Sequence, residues 1–216
     1  MTQKQEAIRQ ETRKRINYSL LSGLIILFVC FAIYFLSQVQ TVQKNYLYPY
    51  PYQETVCRYA EKYNVDSSLC VAVVKVESKF QHDAVSHRGA LGLMQIMPDT
   101  GRWIAGQLGE EYSPEKLKDP ETNIRYGVWY LASLRQEFED NDVLALAAYN
   151  AGRGYVHEWM VEGRWSMKFS HIESIPFRET RDYVRKVLKS REKYKELYDN
   201  NDNDNDDKTK KPPKKG

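Results

Sequence analysis

The sequence is poor in the residues that mark several classes of protein. Three of its 216 residues are cysteine, which is too few for a disulfide-dense scaffold. Its eleven glycines and eight prolines exclude a collagen-like chain. A second long apolar run is missing, so the chain is not a polytopic membrane protein. With 42% apolar residues it is too apolar to be disordered throughout, and its length allows one globular domain with accessory segments.

The chain also lacks the excess of positive charge that a nucleic-acid-binding domain needs. The formal net charge is +3, and residues 1–18 account for it with five basic and two acidic side chains. Residues 199–216 hold five acidic and five basic side chains, so residues 19–198 are neutral overall. Because a neutral domain has no basic footprint, the sequence predicts no nucleic-acid partner.

A single apolar run lies close to the N-terminus. No charged residue occurs from Ile16 to Gln43, and the run Leu20–Leu36 is interrupted only by one serine and one glycine. As a helix it would be about 26 Å long, close to the roughly 30 Å hydrocarbon core of a bilayer. It is longer than the apolar region of a typical cleaved signal peptide, which is the alternative interpretation. We therefore predict an uncleaved transmembrane anchor at residues 19–37.

Basic residues lie mainly on one side of this run. Five of them precede it in residues 1–18, and Lys44 is the only one that follows it closely. Because cytoplasmic flanks of membrane helices are enriched in Lys and Arg, we predict that residues 1–18 form a cytoplasmic basic segment. The chain would then cross the cell membrane once, and everything after about residue 38 would be extracytoplasmic.

Two further segments have the composition of accessory regions. Residues 38–53 are rich in Gln, Tyr and Pro, and their two X-Pro pairs disfavour helix, so we predict an extended stalk. Residues 199–216 are of low complexity and have almost nothing to bury, so we predict a disordered tail. The Asp/Asn alternation in this tail lacks the Gly and Glu of a calcium-binding loop.

Helix signals dominate residues 54–198. Apolar residues at helical spacing, together with caps and breakers, predict helices at 54–63, 69–78, from 98 onward, and at 122–138, 143–150 and 179–198. Asp66 and Asp142 are the expected N-cap residues of the helices that follow them, and Gly152 is an expected stop. The stretch 80–93 is predicted to be irregular. The sequence therefore predicts an all-α domain of about 145 residues, which is long enough to bury a core.

Glu77 is the most informative single residue. It ends the apolar helical run 71–77 and lies about 200° around the helix from Lys75. If Lys75 faces water, Glu77 faces the core, where partial loss of solvent raises the pKa of a carboxyl and keeps it protonated near neutral pH. Glu77 is thus a candidate general acid. A solvated glutamate near a helix end is the alternative.

Four motifs in a fixed order strengthen the first interpretation. They are Glu77-Ser78, GALGLMQ at 89–95, AAYNAG at 147–152 and IPFRETRDYV at 175–184. Together they cover about residues 53–190 and resemble the lytic transglycosylase domain of the soluble-lytic-transglycosylase type, in the goose-type lysozyme-like superfamily. The resemblance implies an all-α, lysozyme-like helical domain behind the single N-terminal transmembrane helix.

The resemblance also implies a reaction and a set of residues. Glu77 would be the one catalytic acid, and the substrate would be the glycan strands of peptidoglycan. The MurNAc–GlcNAc β-1,4 bond would be cleaved with formation of 1,6-anhydro-MurNAc, for cell-wall remodelling, with no cofactor and no metal. The residues that match substrate-binding positions of the family are Ser86, Gln95, Met97, Tyr149, Asn150 and Tyr183.

Two other functions stay open at this point. Asp83 stands where the family often has proline, and as a second carboxylate it would suit a lysozyme-like peptidoglycan hydrolase that activates water. The domain could instead bind glycan strands as a non-catalytic scaffold. An anhydro product end would indicate the transglycosylase, and a reducing end would indicate the hydrolase. An absence of turnover would favour the scaffold.

The pairing of two cysteines is open as well. Cys57 and Cys70 would both be extracytoplasmic, where a disulfide can persist. Their predicted helices meet near Val65, and the offset of the two residues along those helices is marginal for a disulfide. A bond and two buried thiols are both compatible with this spacing.

Overall fold

The computed structural model describes residues 3–163 and 165–199. The chain divides into two compact units, one that ends at Pro49 and one that begins at Tyr50. Within the described ranges the chain forms helices, turns and two isolated bridges, and it forms no strand. The prediction of an all-α fold is therefore confirmed.

The first unit consists mainly of the long helix α1 (Gln3–Gln38). Its segment Arg15–Leu36 has a mean hydropathy of 2.6 and no buried residue, so by length and composition it is a candidate membrane span. This segment contains the apolar run that the sequence predicts to be helical. The predicted cytoplasmic segment 1–18 continues into the same helix from Gln3 onward.

The segment expected to be an extended stalk is partly helical. After α1 come α2 (Gln40–Val42) and a π-helical turn (Gln43–Leu47), and the helical backbone ends just before Pro49. The prediction for residues 38–47 was therefore wrong, because the two X-Pro pairs restrict only the residues next to them. The predicted tail at 199–216 lies, apart from Asp199, outside the described residues.

The second unit contains seven α-helices among the described residues. In chain order they are α3 (Gln53–Lys62), α4 (Ser67–Ser78), α5 (Pro98–Leu108), α6 (Pro120–Glu137), α7 (Asp142–Ala151), α8 (Arg153–Gly163) and α9 (Arg178–Tyr194). A π-helical turn (Lys195–Asp199) extends α9. All the predicted helices of this unit are present. Helix α8 was not predicted, because its sequence buries only Val156 and Trp159 and shows little periodicity.

Two helix starts show how local sequence sets the fold. Asp66 caps α4 by accepting a hydrogen bond from the Ser68 amide at 2.9 Å, as predicted. The cap of α7 is Asn141 rather than Asp142, because the Asn141 side-chain oxygen accepts from the first two free amides of the helix at 2.9 and 3.1 Å. Asp142 instead binds the guanidinium of Arg135 at 2.9 Å.

Helices α4 and α7 form the centre of the second unit. Both bury consecutive residues, so no face of either helix remains polar over that run. Helix α9 packs along α4 with an apolar stripe, and its outer face is charged. The buried residues are Leu69, Cys70, Val71, Ala72, Val73 and Val74 on α4, Leu144, Ala145, Leu146, Ala147 and Ala148 on α7, and Thr180, Tyr183, Val184 and Val187 on α9.

The three cysteines are free thiols. Cys70 is fully buried, and burial raises the pKa of its thiol well above the usual range. The Cys57 sulfur lies 3.7 Å from the Tyr50 hydroxyl. Of the two possibilities that the sequence left open, the structure has the unpaired one.

An aromatic cluster joins the first residue of the second unit to its last helix. The ring of Tyr50 lies 5.6 Å from the ring of Tyr194 and 5.2 Å from that of Tyr198, both edge-on. Tyr194 and Tyr198 stack on each other at 5.8 Å. Such pairs contribute about 1 kcal/mol each beyond the area that they bury.

Arg191 on α9 ties three helices together. Its guanidinium binds Asp66, the cap of α4, at 2.7 Å and Asp142, at the start of α7, at 2.7 Å. All three side chains are about four-fifths buried. Burial alone would raise the pKa of Asp66, but the hydrogen bond and charge of Arg191, with those of Lys195, lower it overall. The arginine therefore holds α9 in register against α4 and α7.

We expect Arg191→Met to destabilise the second unit by about 2 kcal/mol, because two largely buried carboxylates lose their main hydrogen-bond donor. Urea unfolding of the detergent-solubilised chain, followed by tryptophan fluorescence, measures this change. Arg185→Met is the matched control on α9, since Arg185 is exposed and, among the described residues, its ion pairs are with Glu173 and Asp182 near the surface. Equal midpoints for the two variants would contradict the role of Arg191.

Candidate active site

Glu77 lies in the last turn of α4, where the chain turns sharply. The Ser78 hydroxyl donates to the Val74 carbonyl at 3.2 Å and accepts from the Phe80 amide at 3.1 Å. Lys79 and Phe80 both have positive φ, at 53° and 67°. These contacts end the helix immediately after Glu77 and fix the direction in which its side chain leaves α4.

The surroundings of α4 differ in one respect from the prediction. Lys75 does not simply face water, because its side chain is half-buried and its Nζ lies 5.7 Å from the centre of the Tyr194 ring. Burial lowers the pKa of Lys75 to about 8. Glu77 is half-buried as well, so α9 covers both positions rather than the glutamate alone.

Burial raises the pKa of Glu77 from 4.5 to about 7. The hydroxyl of Tyr183 lowers this pKa, and the negative charge of Glu179 raises it further. Tyr183 and Glu179 lie one turn apart on α9, so the same helix both covers the carboxyl and supplies its two polar neighbours. A carboxyl with a pKa near 7 can lose and regain a proton at neutral pH, which is what a general acid and base requires.

The Tyr183 hydroxyl has an unusual environment. It is buried and makes no hydrogen bond of regular geometry with the described residues, although it is close enough to Glu77 to lower the pKa of that carboxyl. Catalytic contacts in unliganded sites are often longer or less well aligned than ordinary hydrogen bonds. We interpret the Glu77–Tyr183 pair as a contact that is longer or less well aligned than an ordinary hydrogen bond.

Tyr149 and Asn150, at the end of α7, lie on the same side of the domain as Glu77. The Tyr149 hydroxyl donates to the Met94 carbonyl at 2.8 Å. Burial raises the pKa of Tyr149 well above its usual range, and the charge of Glu77 raises it further. Asn150 accepts a hydrogen bond from the Thr180 hydroxyl at 2.8 Å, which ties the end of α7 to the first turn of α9.

A groove of about 190 Å³ brings most of the predicted residues together. Gln95 has a φ of 48°, and its side-chain amide donates to the Gly92 carbonyl at 2.8 Å and to the Ala84 carbonyl at 3.2 Å. Met97 is 41% exposed and forms part of the wall. The residues that line the groove are Gln95, Ile96, Met97, Thr100, Tyr130, Tyr149, Asn150, Ala151 and Gly152.

Ser86 and Asp83 lie in the irregular segment before this groove, and neither lines it. The Ser86 hydroxyl accepts from the Ala90 amide at 2.9 Å, and the backbone of Ser86 also pairs with Ala90. Asp83 is exposed. The carboxylate that acts on the pKa of Glu77 is Glu179, which the sequence analysis did not single out.

Asn123 of α6 is a second residue that the sequence analysis missed. It is 1% exposed, and its amide nitrogen donates to the carbonyls of Leu91 and Leu117 at 2.9 and 2.7 Å. Its side-chain oxygen accepts from the Met94 amide at 2.8 Å. One buried side chain thus satisfies two backbone groups of the segment that carries Gln95 and one backbone group of the turn at Leu117. The signal in the sequence that could have identified Asn123 is its position as a single amide residue within the apolar stripe of α6.

Two glycines make room for this arrangement. Gly92 has a φ of +76°, and a Cβ there would lie 2.3 Å from the Asn123 amide nitrogen. Gly127, in the middle of α6, faces Met94, and a Cβ there would lie 2.3 Å from the Met94 sulfur. Met94 is therefore held by Asn123 at its amide, by Tyr149 at its carbonyl and by α6 at its side chain.

We expect Gly127→Ala to destabilise the second unit by about 2 kcal/mol, because the new methyl overlaps Met94 and overpacks the core. Gly106→Ala is the matched control, since Gly106 is also inside a helix but has open space around it. That change should stabilise α5 by about 0.5 kcal/mol. Urea unfolding of both variants tests the pair, and shifts of the same sign would contradict the packing argument.

A second cleft adjoins the groove. It has a volume of about 320 Å³ and is lined by Asp99, Thr100, Trp103, Tyr130 and Arg153. Thr100 and Tyr130 line both spaces, so the two form one continuous depression. The Arg153 guanidinium lies 5.9 Å from the Trp103 ring and binds Glu137 at 3.1 Å.

The comparisons with known proteins agree with this geometry. The family model "Transglycosylase SLT domain" matches residues 54–172, more than half of the chain. The chain is 38% identical over 144 residues to the soluble lytic murein transglycosylase of Salmonella typhimurium, covering 65% of this chain and 22% of that protein. It is 35% identical over 166 residues to the membrane-bound lytic murein transglycosylase C of Haemophilus ducreyi, covering 66% of this chain and 45% of that protein.

Solved structures give the same result. The 70 kDa soluble lytic transglycosylase of Escherichia coli matches with a TM-score of 0.63 and 37% identity, over 69% of this chain and 25% of that one. The lytic transglycosylase Slt of Pseudomonas aeruginosa matches with a TM-score of 0.63 and 36% identity, over 71% of this chain and 26% of that one. The chain therefore spans about a quarter of the length of these two proteins and of the Salmonella relative.

Proposed function

The chain belongs to the transglycosylase SLT family, and from this premise we propose that it is a membrane-anchored lytic transglycosylase of peptidoglycan. The bond cleaved is the β-1,4 bond between MurNAc and GlcNAc, and the product ends in 1,6-anhydro-MurNAc. The observation that carries the proposal is the half-buried Glu77, whose pKa is raised to about 7, beside the groove of about 190 Å³. The names of the relatives support the same reaction.

The first step uses Glu77 as an acid. Most glycosidases employ two carboxyl groups, one as acid and one as base or nucleophile. Here Glu77, protonated near neutral pH, gives its proton to the oxygen that bridges the two sugars. The C1–O bond breaks as this oxygen becomes the new hydroxyl of GlcNAc, and the neighbouring acetamido group of MurNAc stabilises the positive charge on C1.

The second step uses the same residue as a base. Glu77 is now a carboxylate, and it takes the proton of the MurNAc 6-hydroxyl while that oxygen bonds to C1. The 1,6-anhydro ring closes, Glu77 is again protonated, and no water is consumed. Between the two steps Tyr183 stabilises the Glu77 carboxylate, because its hydroxyl, which has no other hydrogen bond among the described residues, can donate to the charged group.

The remaining site residues bind the glycan strand. Gln95, Met97, Tyr149 and Asn150 line the groove, and it contains no carboxylate or ammonium group among its described lining residues. Such a wall suits a neutral chain of N-acetylated sugars. Ser86 forms part of the proposed site through its hydroxyl, which accepts one backbone hydrogen bond and keeps its own hydrogen for a ligand.

The same proposal includes the membrane topology. Residues 19–37 anchor the chain, residues 1–18 are cytoplasmic, and the domain at 54–198 faces the wall, joined to the anchor by residues 38–53. The apolar segment of α1 and the basic residues that precede it support this arrangement. The domain then acts on glycan strands close to the membrane, in remodelling of the cell wall.

We expect Glu77→Gln to abolish cleavage without changing the fold, because Gln has the shape of Glu but no proton to transfer. Purified peptidoglycan is incubated with the detergent-solubilised chain, and the released fragments are read by mass spectrometry. Anhydro-ended products from the unchanged chain alone support the proposal. Reducing ends would show a hydrolase, and co-sedimentation without products would show a binding scaffold.

The raised pKa of Glu77 also makes folding stability depend on pH. The folded chain holds this proton more tightly than the unfolded chain, so stability falls as the pH rises from about 4.5 to about 7. Replacement by Gln removes this loss. We expect Glu77→Gln to gain stability relative to the unchanged chain across this window, by about 3 kcal/mol in total.

Urea unfolding at a series of pH values measures the difference between the two chains. Glu61→Gln is the control, because Glu61 is an exposed carboxyl on α3 and has no burial cost to remove. A difference between Glu77→Gln and the unchanged chain that stays constant from pH 4 to pH 8 would refute the raised pKa of Glu77.

A further inference from the structure

A third cleft lies beyond the two that flank Tyr130. It has a volume of about 410 Å³ and is here called the distal cleft. Helix α6 provides most of its wall, and the turns that follow α3 and α6 provide the rest. The residues that line it are Tyr63, Asn64, Trp129, Ala132, Ser133, Arg135, Gln136 and Asp140. None of them belongs to the motifs or to the proposed catalytic site.

Four aromatic rings in series connect this cleft to the catalytic groove. The rings of Tyr149 and Tyr130 are 5.4 Å apart, those of Tyr130 and Trp103 are 6.0 Å apart, and those of Trp103 and Trp129 are 5.5 Å apart. Tyr149 lines the groove beside Glu77, and Trp129 lines the distal cleft. Trp103, in the middle, is 39% exposed although it is large and apolar.

The chemistry of the distal cleft suits a neutral sugar. The faces of a pyranose ring carry C–H groups, and these are attracted to the negative face of an indole such as Trp129. The side-chain amides of Asn64 and Gln136 make no hydrogen bond within the described part of the chain, so their donors and acceptors are available to hydroxyl and acetamido groups.

The charges in the cleft are already paired. The Arg135 guanidinium binds Asp142 at 2.9 Å and Asp140 at 3.2 Å. The Ser133 hydroxyl donates to the Tyr130 carbonyl at 2.8 Å and keeps its lone pairs as acceptors. An ionic ligand would have to compete with these pairs, whereas a sugar would not. The cleft therefore favours the glycan strand over a charged stem peptide.

We propose that the distal cleft is an additional binding site for N-acetylhexosamine units of the same glycan strand whose bond Glu77 cleaves. This inference rests on the proposed function. The aromatic row leads the strand from Tyr149 past Trp103 to Trp129, where a sugar stacks on the indole and hydrogen-bonds to Asn64 and Gln136. Short glycans fill only the groove, and strands long enough to reach the distal cleft gain affinity from a second point of attachment.

The test compares glycans of graded length in binding to the detergent-solubilised full chain. All proteins carry Glu77→Gln so that no glycan is cleaved, and the ligands are β-1,4-linked oligomers of N-acetylglucosamine. Isothermal titration calorimetry gives Kd. We expect Trp129→Ala to weaken binding of the long oligomers about tenfold and to leave the binding of the short ones unchanged.

A matched control and a second variant complete the design. Tyr155→Ala removes an exposed aromatic residue outside the row, and it should leave the dependence on length intact. Gln136→Ala removes an exposed amide of the cleft and should reduce the gain with length by a smaller factor, which decides the question if Trp129→Ala does not fold.

Three results would overturn the inference. They are an equal loss of affinity for short and long oligomers, no loss for either, and binding of an isolated stem peptide that Trp129→Ala abolishes. Failure of the proposed function would appear elsewhere, as an absence of anhydro products from the chain that keeps Glu77, whereas these titrations measure binding in proteins that cannot cleave.

Discussion

The packing of α9 along α4 is the contact on which the rest of the site depends. Helix α4 is apolar until its last turn, where it presents a carboxyl that would be solvated if nothing covered it. Helix α9 covers it and brings both neighbours that act on its pKa, Tyr183 and Glu179. The helix is held at one end by the Arg191 bridges and at the other by the hydrogen bond from Thr180 to Asn150. The raised pKa of Glu77 therefore depends on a helix that lies about 100 residues later in the chain.

The wall of the groove that carries Gln95 is held in place in a different way. The segment that carries Gln95 has almost no regular structure, so its backbone groups need partners from elsewhere. Asn123 supplies a partner for two of them, the Met94 amide and the Leu91 carbonyl, and the Tyr149 hydroxyl supplies one for the Met94 carbonyl. Glycine at 127 lets α6 approach closely enough for these bonds to form. Packed helices thus position the acid, whereas buried polar side chains that satisfy an irregular loop position the groove wall that carries Gln95.

The sequence predicted what local rules determine. The helices from 54 onward and the Asp66 cap depend on neighbours within one or two turns, and these predictions were correct. The cap of α7 was assigned one residue too late because Asp142 binds two arginines, Arg135 at the end of α6 and the distant Arg191 on α9. Asn123, Gly127 and Glu179 were missed for the same reason, since their roles are defined only by partners that the fold brings to them. Helix α8 was not predicted because Val156 and Trp159 are its only buried residues, which is too few to give a helical pattern.

The aromatic cluster of Tyr50, Tyr194 and Tyr198 has a mechanical consequence. Tyr50 is the first residue of the second unit, and its ring packs against Tyr194 and Tyr198 at the C-terminal end of α9. Tension between the proposed membrane anchor and a glycan held in the groove would therefore be delivered to the end of α9 near Tyr194. That point is about 16 Å along the helix axis from Tyr183. A force applied through the anchor would therefore act on the contacts of Tyr50 with Tyr194 and Tyr198 before it could displace the part of α9 that covers Glu77.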